Sequence, residues 1–537
     1  MFSFSALFFA IFSYLCLLFL IAYATEHGTI PAAVSRHPLT YVLSLGVYAT
    51  AWTYYGSVGF AASHGYMFLA VYIGATIAFI LTPMLLEPLL RLVRDYQLTS
   101  LADLFAFRFR SQAAGIMVAL FMLAGTLPYL ALQIRAATDT VQILTQEAQP
   151  RLLAFGFCVL WIVFTILFGA RHIAPREKHR GLVVAMAFES VVKLAALATV
   201  GIFSVLGAFG GFHGVETWLQ ENPHVLDEMY RPVREGGWTA VLLLAFGAAF
   251  LLPRQFHMVF TENIEPRCLR TSAWGFPLLL LALTLPVPLV LWAGGILSVG
   301  VDPDYYMLGV TLSSGSHLLT LLALLGGISA ASAMMIVTTV ALSAMALNHL
   351  VLPASIPDPT LDLYSWLLWG RRVVMAVIIL AGFGFYAALE GGEGLYELGL
   401  VSLVAVAQFL PGMIGVLYWE NANRNGFMAG LGGGACIWFI TLFIPLVDPG
   451  GGTHAGVSLQ PWLDYTHMDK WTFVTFWSLA VNGCLFVALS LATRRSPEEI
   501  EAAEACINET LLPRGGVLEV ASATEFTELL SRLIGAE

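Results

Sequence analysis

The chain has 537 residues, of which 58% are hydrophobic and only 11% are charged, and its mean hydropathy is +0.80. A soluble domain cannot bury that much apolar surface, so the composition predicts a polytopic membrane protein and excludes an ordinary soluble fold. The formal net charge of −10 lies mostly in the loops. No basic patch with interleaved aromatic residues is present, so nucleic acid is not expected as a partner.

Motifs of soluble enzymes are absent from the sequence. The six cysteines form no C-x-x-C pair and no metal-ligand cluster, which predicts neither a disulfide framework nor a structural zinc site. No G-x-x-x-x-G-K-[ST] loop is present, so ATP binding of the P-loop kind is excluded. No nucleophile–base or metal constellation stands out either. We therefore predict a protein that is not an enzyme, with no catalytic residues, no metal and no cofactor.

Apolar runs of about 18 or more residues predict about thirteen membrane-spanning helices. The first run ends in the Ala-Tyr-Ala pattern of a signal-peptide cleavage site. However, no Lys or Arg precedes it and it is long for a signal core, so a retained spanning helix is favoured. The predicted helices cover residues 3–23, 39–62, 66–93, 112–145, 152–170, 181–207, 238–258, 271–297, 317–347, 371–389, 397–418, 426–447 and 471–493.

The second predicted helix is interrupted in its middle, near Tyr54. Its sequence is SLGVYATAWTYYGSVGFAASHG, in which Gly56 and Gly59 weaken the helix and Thr50 and Thr53 bring hydroxyl groups to membrane depth. Helix breakers are tolerated in lipid mainly where the backbone lines an enclosed or wet cavity. Many secondary transporters build their solute site from such a broken helix. The alternative is a Gly/Ser face that packs against a neighbouring helix.

Polar side chains also occur inside the fourth and sixth predicted helices. Tyr129 and Gln133 are four residues apart, so they share one face of helix four, where they meet either a polar solute or a neighbouring helix. In helix six, Glu189 and Lys193 are also four residues apart. A charge at membrane depth indicates a functional site by default. The alternative is a pair that neutralises itself near the cytoplasmic end of the helix.

Helix seven contains a second interruption, in the sequence FGAAFLLPRQFHMVF. Pro253 cannot donate a backbone hydrogen bond and clashes with the preceding turn, and Arg254, Gln255 and His257 follow it. The two interruptions occupy comparable positions in helices two to six and helices seven to eleven, which indicates an inverted repeat with a midplane site. Arg254 is then either part of a gate or substrate path or an anchor at the cytoplasmic end of its helix.

The charges of the loops alternate between the two sides of the predicted bundle. By the positive-inside rule the basic side is cytoplasmic, which places the N-terminus outside and the C-terminus inside. The long outer loop, 208–237, predicts a short surface helix, in which His213 and His224 are solvated and not metal ligands. The basic loops contain Arg36, Arg91, Arg94, Arg108, Arg110, Arg171, Arg176, Lys178, Arg180, Arg267, Arg270, Arg371, Arg372, Arg424, Arg494 and Arg495.

The composition changes abruptly after the last predicted helix. The sequence Ser-Pro-Glu-Glu that begins at Ser496 predicts an N-cap and an acidic first turn, followed by short amphipathic helices to about 512 and at 523–534. We predict an extra N-terminal helix and loop, a first core repeat, an extracytoplasmic loop, a second core repeat, two peripheral helices and a cytoplasmic connector. These segments cover residues 1–38, 39–207, 208–237, 238–418, 419–493 and 494–537.

A resemblance to a known family rests on five long strings, RHPLTYVLSLGVYATAWTYYGSVG, QLTSLADLFAFRFRS, LPYLALQIRAATD, LPRQFHMVFTEN and LPVPLVLWAGG. With them the chain resembles the sodium:solute symporter family over all predicted helices, and within it the transporter-like membrane domain of CbrA-type sensor histidine kinases. The resemblance implies an all-α polytopic membrane protein of the LeuT-type fold, with five-plus-five inverted repeats, one extra N-terminal helix and two extra C-terminal helices. It also implies the bacterial cytoplasmic (inner) membrane.

The same resemblance implies alternating access and cation-coupled uptake of a small organic solute. The CbrA-like subgroup implies an amino acid, with L-histidine favoured. Half-helix ends suit the carboxylate and the ammonium group of an amino acid. Carried onto this chain, the gate or path contains Arg254 and His257, and the substrate-binding residues are Ala51, Trp52, Thr53, Tyr54, Tyr129, Gln133, Phe250 and Gln255.

The family's sodium site corresponds to backbone carbonyls of Gly46 and Ala49 and to the hydroxyl of Ser329. The next position, which is usually Ser or Thr in the family, is Ala330 here. Lys193 stands where many relatives have an uncharged amide. An ammonium group there is able to replace a sodium ion, and deprotonation of a buried lysine would couple transport to protons. We therefore expect a degenerate sodium site, with H+ favoured over Na+ as the coupling ion.

Three functions stay open on the sequence: a permease domain for histidine or a similar amino acid within a sensor protein, a receptor that binds the solute without moving it, and a sodium symporter for another organic solute. The expected partners are a small amino acid and membrane lipid. The tail resembles the start of a connector to PAS and kinase regions, which with a response regulator are expected partners in a longer protein. Histidine kinase activity would lie in those regions.

Overall fold

The computed structural model describes residues 2–146, 149–169, 178–235, 237–354, 363–389, 394–447 and 459–507. Regular structure within these ranges is helical throughout, which confirms the all-α fold that the sequence predicts. The central part of the predicted basic loop, 170–177, and the predicted second tail helix, 523–534, lie outside the described residues.

The first part of the chain forms a series of helices that ends at the second predicted interruption. A 3-10 turn over Leu45–Tyr48 and a wide, π-type turn over Trp52–Gly56 lie between the second and third of these helices. The helices are α1 (Phe4–Glu26), α2 (Pro38–Ser44), α3 (Ser57–His64), α4 (Leu69–Ile80), α5 (Leu86–Asp95), α6 (Leu101–Arg108), α7 (Gln112–Thr145), α8 (Pro150–Gly169), α9 (Arg180–Phe203), α10 (Phe212–Glu221), α11 (Pro223–Glu235) and α12 (Trp238–Leu251).

The second part continues the bundle to the basic tail. A π-type turn over His257–Thr261 follows its first short helix, and a 3-10 turn covers Pro303–Tyr305. The helices are α13 (Pro253–Phe256), α14 (Pro266–Thr284), α15 (Pro286–Ile296), α16 (Tyr306–Ser313), α17 (His317–Ala346), α18 (Leu363–Ala388), α19 (Leu395–Ala407), α20 (Leu410–Tyr418), α21 (Arg424–Trp438), α22 (Gln460–Thr466), α23 (Lys470–Ala492) and α24 (Pro497–Cys506).

Side-chain caps fix where several of these helices begin. Ser100, Ser111 and Ser316 accept hydrogen bonds from backbone N–H groups in the first turns of α6, α7 and α17. Such caps satisfy donors that have no partner within the helix. Ser496 forms a full capping box with Glu499 at the start of α24, which confirms the N-cap predicted for the tail.

Eleven helical stretches among the described residues are long and apolar enough to cross a membrane, or twelve if the bent pair at the second interruption is one span. One of these stretches, Trp52–Ile80, contains Gly65, where the backbone adopts a left-handed φ of +52°. A left-handed φ favours glycine. Hydropathy predicts about thirteen spanning helices, and the eleven or twelve spans among the described residues are close to that number.

One end of the bundle, which we call the basic end, gathers segments that are far apart in sequence. The guanidinium group of Arg94 lies 3.5 Å from the Ile264 carbonyl oxygen. The thiol of Cys268 lies 3.9 Å from the Arg36 carbonyl oxygen. The start of α2, the end of α5 and the start of α14 therefore share this end.

The opposite end, which we call the acidic end, contains the loop helices. The turn at Gly65 lies directly against the backbone of Met229 in α11. The Asp304 carboxylate accepts a hydrogen bond from the Leu395 N–H at 2.9 Å. The predicted outer loop forms two helices, α10 and α11, in place of the single surface helix that the sequence predicts.

Helices of the two predicted repeats pack against each other in the centre of the bundle. Helix α9 contacts α2 and α17, α7 contacts α17 and α19, and α4 contacts α12. Gly326 and Gly327 of α17 allow the rings of Tyr54 and Tyr55 to approach its backbone, since a Cβ atom at either glycine would overlap a tyrosine. Small residues that permit close approach are typical of membrane helix interfaces.

Helix α24 folds back onto the basic end. The Arg424 N–H donates to Glu499 Oε1 at 2.8 Å, and Ala502 and Cys506 are buried. Arg108 at the end of α6 is fully buried close by and donates from Nη2 to the Trp419 carbonyl at 3.1 Å. The start of the tail is thus attached to the membrane bundle.

Candidate solute and cation site

The first helix break lies at Ala49 and Thr50. After the 3-10 turn over Leu45–Tyr48, Ala49 has an extended backbone, with φ −75° and ψ 98°. The wide turn over Trp52–Gly56 follows before helix α3 begins. The helical path is therefore interrupted shortly before Tyr54, near which the sequence predicts the break, and Tyr54 lies in the wide turn.

Side chains of α7 supply hydrogen-bond partners for this first break. The Ala51 N–H donates to Gln133 Oε1 at 3.1 Å, and the hydroxyl oxygens of Thr50 and Tyr129 lie 3.0 Å apart. Thr53 is buried in the turn that follows. The shared face of Tyr129 and Gln133 therefore lies against the broken segment.

The second helix break lies at Leu252, directly before Pro253. Leu252 has φ −57° and ψ 138°, the extended conformation that a following proline favours. The helical segments on either side meet at 46°. Hydrogen bonding resumes at once, because the Phe256 N–H donates to the Leu252 carbonyl at 2.8 Å.

The two breaks meet through the residues that follow Pro253. The side-chain amide of Gln255 donates to the Leu45 carbonyl at 3.3 Å. The guanidinium carbon of Arg254 lies 4.6 Å from the centre of the Tyr129 ring, within the range of a cation–π attraction. Arg254 is buried, and its Nε and Nη1 atoms have no hydrogen-bond partner among the described residues. It therefore lies between the breaks, with N–H donors suited to an anionic group.

Three predicted substrate-binding residues make their described contacts elsewhere. The Trp52 indole N–H donates to the Tyr396 carbonyl at 3.2 Å, and the Tyr54 hydroxyl donates to the Ala323 carbonyl at 3.0 Å. Phe250 lines an apolar cavity at the side of the bundle. The structure therefore brings Ala51, Tyr129, Gln133 and Gln255 together at the breaks, while these three residues pack against other helices.

Lys193 binds the carbonyl groups that the first break releases. Its Nζ lies 2.9 Å from the carbonyl oxygen of Gly46 and 2.9 Å from that of Ala49. Lys193 is buried, and both carboxylate oxygens of Glu189 lack a hydrogen-bond partner in the described structure. The ammonium group of Lys193 therefore binds the backbone carbonyls of the first break and not the carboxylate of Glu189, its neighbour on α9.

Ser329 lies next to this group but is engaged in other hydrogen bonds. Its hydroxyl accepts from the Tyr14 hydroxyl at 2.8 Å and donates to the Glu189 carbonyl at 3.1 Å. Ala330 beside it is buried and offers no hydroxyl. The carbonyl pair is a hard-oxygen site of the kind that binds alkali cations, and in this conformation it binds an ammonium group.

His257 belongs to a charged cluster at the basic end. Glu262 Oε1 lies 2.7 Å from His179 Nδ1 and 3.1 Å from His257 Nε2. Burial opposes ionisation of Glu262, but the two histidines outweigh burial and hold its pKa well below its usual range. Burial lowers the pKa of His179, whereas the Glu262 carboxylate raises it more, so this pKa lies above its usual value. The cluster joins the segment before α9 to the turn after α13.

A second carboxylate–histidine pair joins α6 to the turn after α17. Asp103 Oδ1 lies 2.7 Å from His349 Nε2, and Asp103 Oδ2 accepts from the Thr99 N–H at 3.0 Å. Burial raises the pKa of Asp103, but hydrogen bonds from His349 and Thr99 hold it below its usual value. The Thr261 hydroxyl donates to the Thr99 carbonyl at 3.3 Å and so connects the two clusters of the basic end.

Sequence reasoning missed most of these basic-end residues. Glu262 stands five residues after His257 in the string LPRQFHMVFTEN, and a carboxylate at the end of a broken helix is a signal that could have singled it out. No comparable local signal points to His179 or His349, because each meets its carboxylate across a long stretch of chain.

The acidic end is closed around Asp304, which the sequence analysis also missed. Its Oδ2 binds the first N–H of α19, and its Oδ1 has no described partner and lies over Gly59, where a Cβ atom would overlap it. Burial raises the pKa of Asp304 to about 7. The neighbouring Tyr305 hydroxyl donates to Asp139 Oδ2 at 2.7 Å. These contacts hold the turn before α16 against α3 and α19.

A cavity of about 350 Å³ opens beside this closure, between the end of α3 and the loop helices. The rings of Trp52, Phe60 and Tyr396 pack together along α3 between this end and the first break, with centroids 5.9 and 5.3 Å apart. The polar and aromatic residues that line the cavity are Ser63, His64, Trp218, Glu228, Arg231, Trp292 and Tyr306.

Comparison with known proteins adds to this geometry. The chain is 24% identical over 473 residues to an uncharacterised symporter, YhjB, of Bacillus subtilis (strain 168), a similarity that covers 85% of this chain and 89% of that protein. A solved structure of a Na+-coupled sialic acid symporter, substrate-bound and outward-open, superposes with a TM-score of 0.65 at 10% identity and covers 92% of this chain and 99% of that one. No family model matches the chain. The fold is that of a polytopic, LeuT-type membrane protein.

The expectation that H+ is favoured over Na+ as the coupling ion is wrong. The sialic acid symporter of the same fold is coupled to Na+ and contains a Na+ site, which points to sodium. The expectation rested on Lys193 and Ala330. An ammonium group and a sodium ion carry the same charge and bind the same carbonyl ligands, so an ammonium in the site in one conformation does not select the proton as coupling ion.

Proposed function

We propose that this protein is a secondary-active symporter that moves a small amino acid together with Na+. The observation that supports this most directly is the junction of the two helix breaks. There Gln255 binds the first break, and Arg254 lies buried over Tyr129 with donors that have no described partner. Discontinuous helices that meet in the middle of a membrane protein are a recurrent design of solute sites.

The chemistry of this junction suits a zwitterion. The Nε and Nη1 groups of Arg254 are donors for a carboxylate. The adjacent Gln255 Oε1 is buried and accepts no described hydrogen bond, which makes it an acceptor for an ammonium group. Leaving such groups unpaired costs about 1–3 kcal/mol each, so a solute that satisfies both gains affinity.

Alternating access would open the two ends of the bundle in turn. The Glu262 cluster closes the basic end, and the Asp304 contacts close the acidic end. We propose that the basic end is cytoplasmic, following the positive-inside rule, and that the protein resides in the bacterial inner membrane with its N-terminus outside.

L-Histidine is the amino acid that we propose first, on the strength of the resemblance to CbrA-type proteins. The second candidate function is a solute sensor that binds the amino acid without transporting it. The docking of α24 favours this candidate, because Glu499 and Cys506 attach the start of the tail to the bundle. In a longer protein, such a segment would pass a conformational change on to PAS and kinase regions and thence to a response regulator.

Uptake into proteoliposomes tests the proposal. We expect radiolabelled L-histidine to accumulate under an inward Na+ gradient and not when N-methylglucamine replaces Na+. We expect Arg254→Gln to lose uptake at least tenfold, while the exposed Arg270→Gln serves as the matched control. Binding without uptake under any gradient would favour the sensor, and equal uptake without Na+ would contradict sodium coupling.

A further inference from the structure

Glu189 is a buried carboxylate that takes no part in the contacts described at the two helix breaks. The residue is completely inaccessible to solvent, and neither Oε1 nor Oε2 has a hydrogen-bond partner among the described residues. Burying a charge without a partner costs several kcal/mol. Buried polar groups are otherwise almost always paired, so an unpaired one requires an explanation.

Lys193 lies one helical turn from Glu189 on the same face of α9. In the described conformation its ammonium group donates to the carbonyls of Gly46 and Ala49 at 2.9 Å each. Side chains at positions i and i+4 of a helix are neighbours and can form an ion pair. The flexible lysine side chain therefore has two sets of acceptors within reach, and it uses only one of them here.

The carbonyl pair cannot hold two cations at once. Like charges at such a separation in a low-dielectric interior repel each other strongly. A sodium ion that binds the carbonyls of Gly46 and Ala49 must therefore displace the ammonium group. Glu189 is the carboxylate next to Lys193 that has no other described partner.

We propose that Na+ and the ammonium group of Lys193 exchange at the carbonyl pair, and that Glu189 receives the ammonium group when Na+ is bound. This inference rests on the proposed function, because it takes Na+ as the coupling ion. Sodium binding adds one positive charge to this group: the carbonyl pair binds one monovalent cation in both states, and in the Na+-bound state the Glu189 carboxylate pairs with the displaced ammonium group. The Ser329 hydroxyl, which donates to the Glu189 backbone at 3.1 Å, links α17 to the same turn of α9.

Sodium binding to the purified full chain tests this exchange. Equilibrium binding of ²²Na+ is measured for the wild type, Lys193→Met, Glu189→Gln and the double variant. We expect Lys193→Met to bind Na+ at least tenfold more tightly, because the competing cation is gone. We expect Glu189→Gln to bind at least tenfold more weakly, because the displaced ammonium loses its acceptor. In the Lys193→Met background, Glu189→Gln should have little further effect.

Matched controls lie outside the site. Lys470→Met removes an exposed lysine, and Glu87→Gln removes a carboxylate that pairs with Arg270; both should bind Na+ as the wild type does. If Lys193→Met fails to fold, Lys193→Gln keeps a donor for the carbonyls without the charge and should also bind Na+ more tightly than the wild type.

Three outcomes would overturn the exchange. They are loss of Na+ binding in both Lys193 variants, an equal effect of Glu189→Gln with and without Lys193, and absence of Na+ binding from every variant. Na+ binding to the wild type that tightens when Lys193 is replaced supports the exchange. Binding of labelled histidine, measured separately on the same samples, decides the solute proposal, so the two can fail independently.

Discussion

The two helix breaks reach similar geometry by different means. At the second break, Pro253 forces Leu252 into an extended conformation, and helical hydrogen bonds resume at the next turn. The first break contains no proline. Its carbonyls and N–H groups are satisfied by Lys193, Gln133 and Gln255, which come from three other helices.

This difference indicates which break can respond to ligands. A break set by proline is built into the chain and changes little when its surroundings change. A break whose backbone groups are hydrogen-bonded to side chains of other helices can exchange those partners for a solute or an ion. We therefore expect the first break to change conformation when Na+ binds and the second break to keep its conformation.

The largest effect on stability is expected at the closure that follows the second break. Replacing Glu262 by Gln leaves His179 and His257 without their shared carboxylate. Breaking a buried charge pair costs about 3 kcal/mol or more. Thermal unfolding of the purified protein at pH 6 measures the loss. The control Glu87→Gln, which breaks a pair with the exposed Arg270, should change stability by less than about 1 kcal/mol.

The same cluster predicts a bell-shaped dependence of stability on pH. Because the folded pKa of Glu262 is held below its ordinary value of 4.5, its contribution is complete above that pH and is lost as the pH falls further. Because the folded pKa of His179 lies above 6.5, its contribution is complete below that value and is lost as the pH rises. The stabilisation by the Glu262–His179 pair should therefore peak between these values and flatten in Glu262→Gln. An unchanged dependence of stability on pH in Glu262→Gln would contradict the contribution of this cluster to stability.

The next effect compares a glycine at each break. A Cβ atom on Gly46 would overlap the Ser190 hydroxyl, whereas a Cβ atom on Gly247 would lie 3.2 Å from the nearest atom, a methyl group of Leu410. We expect Gly46→Ala to destabilise by about 2 kcal/mol through overpacking and Gly247→Ala by less than about 1 kcal/mol. Adding Ser190→Gly should restore much of the loss at the first break. An equal loss of stability in Gly46→Ala and Gly247→Ala would contradict the tighter packing expected at the first break.

A smaller effect is expected from removing one partner of the first break. In Gln133→Leu the Ala51 N–H loses its acceptor, which costs about 1–2 kcal/mol for a buried donor. Histidine binding should weaken as well, because the break loses a constraint. The control Thr138→Val, on the same helix, removes a hydroxyl that donates to the Ile134 carbonyl. It should leave histidine binding within twofold of the wild type.

The smallest effect on stability is expected at the proline itself. Pro253 occupies the first position of α13, where a missing N–H is tolerated. We expect Pro253→Ala to change the free energy of unfolding by less than about 1 kcal/mol and yet to slow uptake, since Leu252 can then become helical. A larger loss of stability in Pro253→Ala than in Gln133→Leu would contradict the expected difference between the two breaks.

Local features of the sequence predicted a large part of the fold. Hydropathy located the spans, Pro253 located the second break, and Ser496 predicted the cap of α24. The first break was predicted about one turn too late, near Tyr54. No residue in that segment forces a break, so its position depends on which backbone groups find partners elsewhere.

The charged contacts were the least predictable part. Lys193 was expected to meet either Glu189 or a cation site, and only the packing of α9 against α2 shows that it binds the carbonyls of the first break. Glu262 and His179 are far apart in sequence and meet only because α9 and α13 converge at the basic end.

The sequence by itself determined that the chain is a helical membrane protein, that one helix breaks at Pro253, and that polar groups lie at membrane depth. These follow from composition and from steric limits within a few residues. Tertiary structure alone decided where the first break lies, which carbonyls Lys193 binds and which histidines surround Glu262. The physical reason is that a buried polar group is stabilised by whatever partner the packing brings within about 3 Å, and that partner need not be near in sequence.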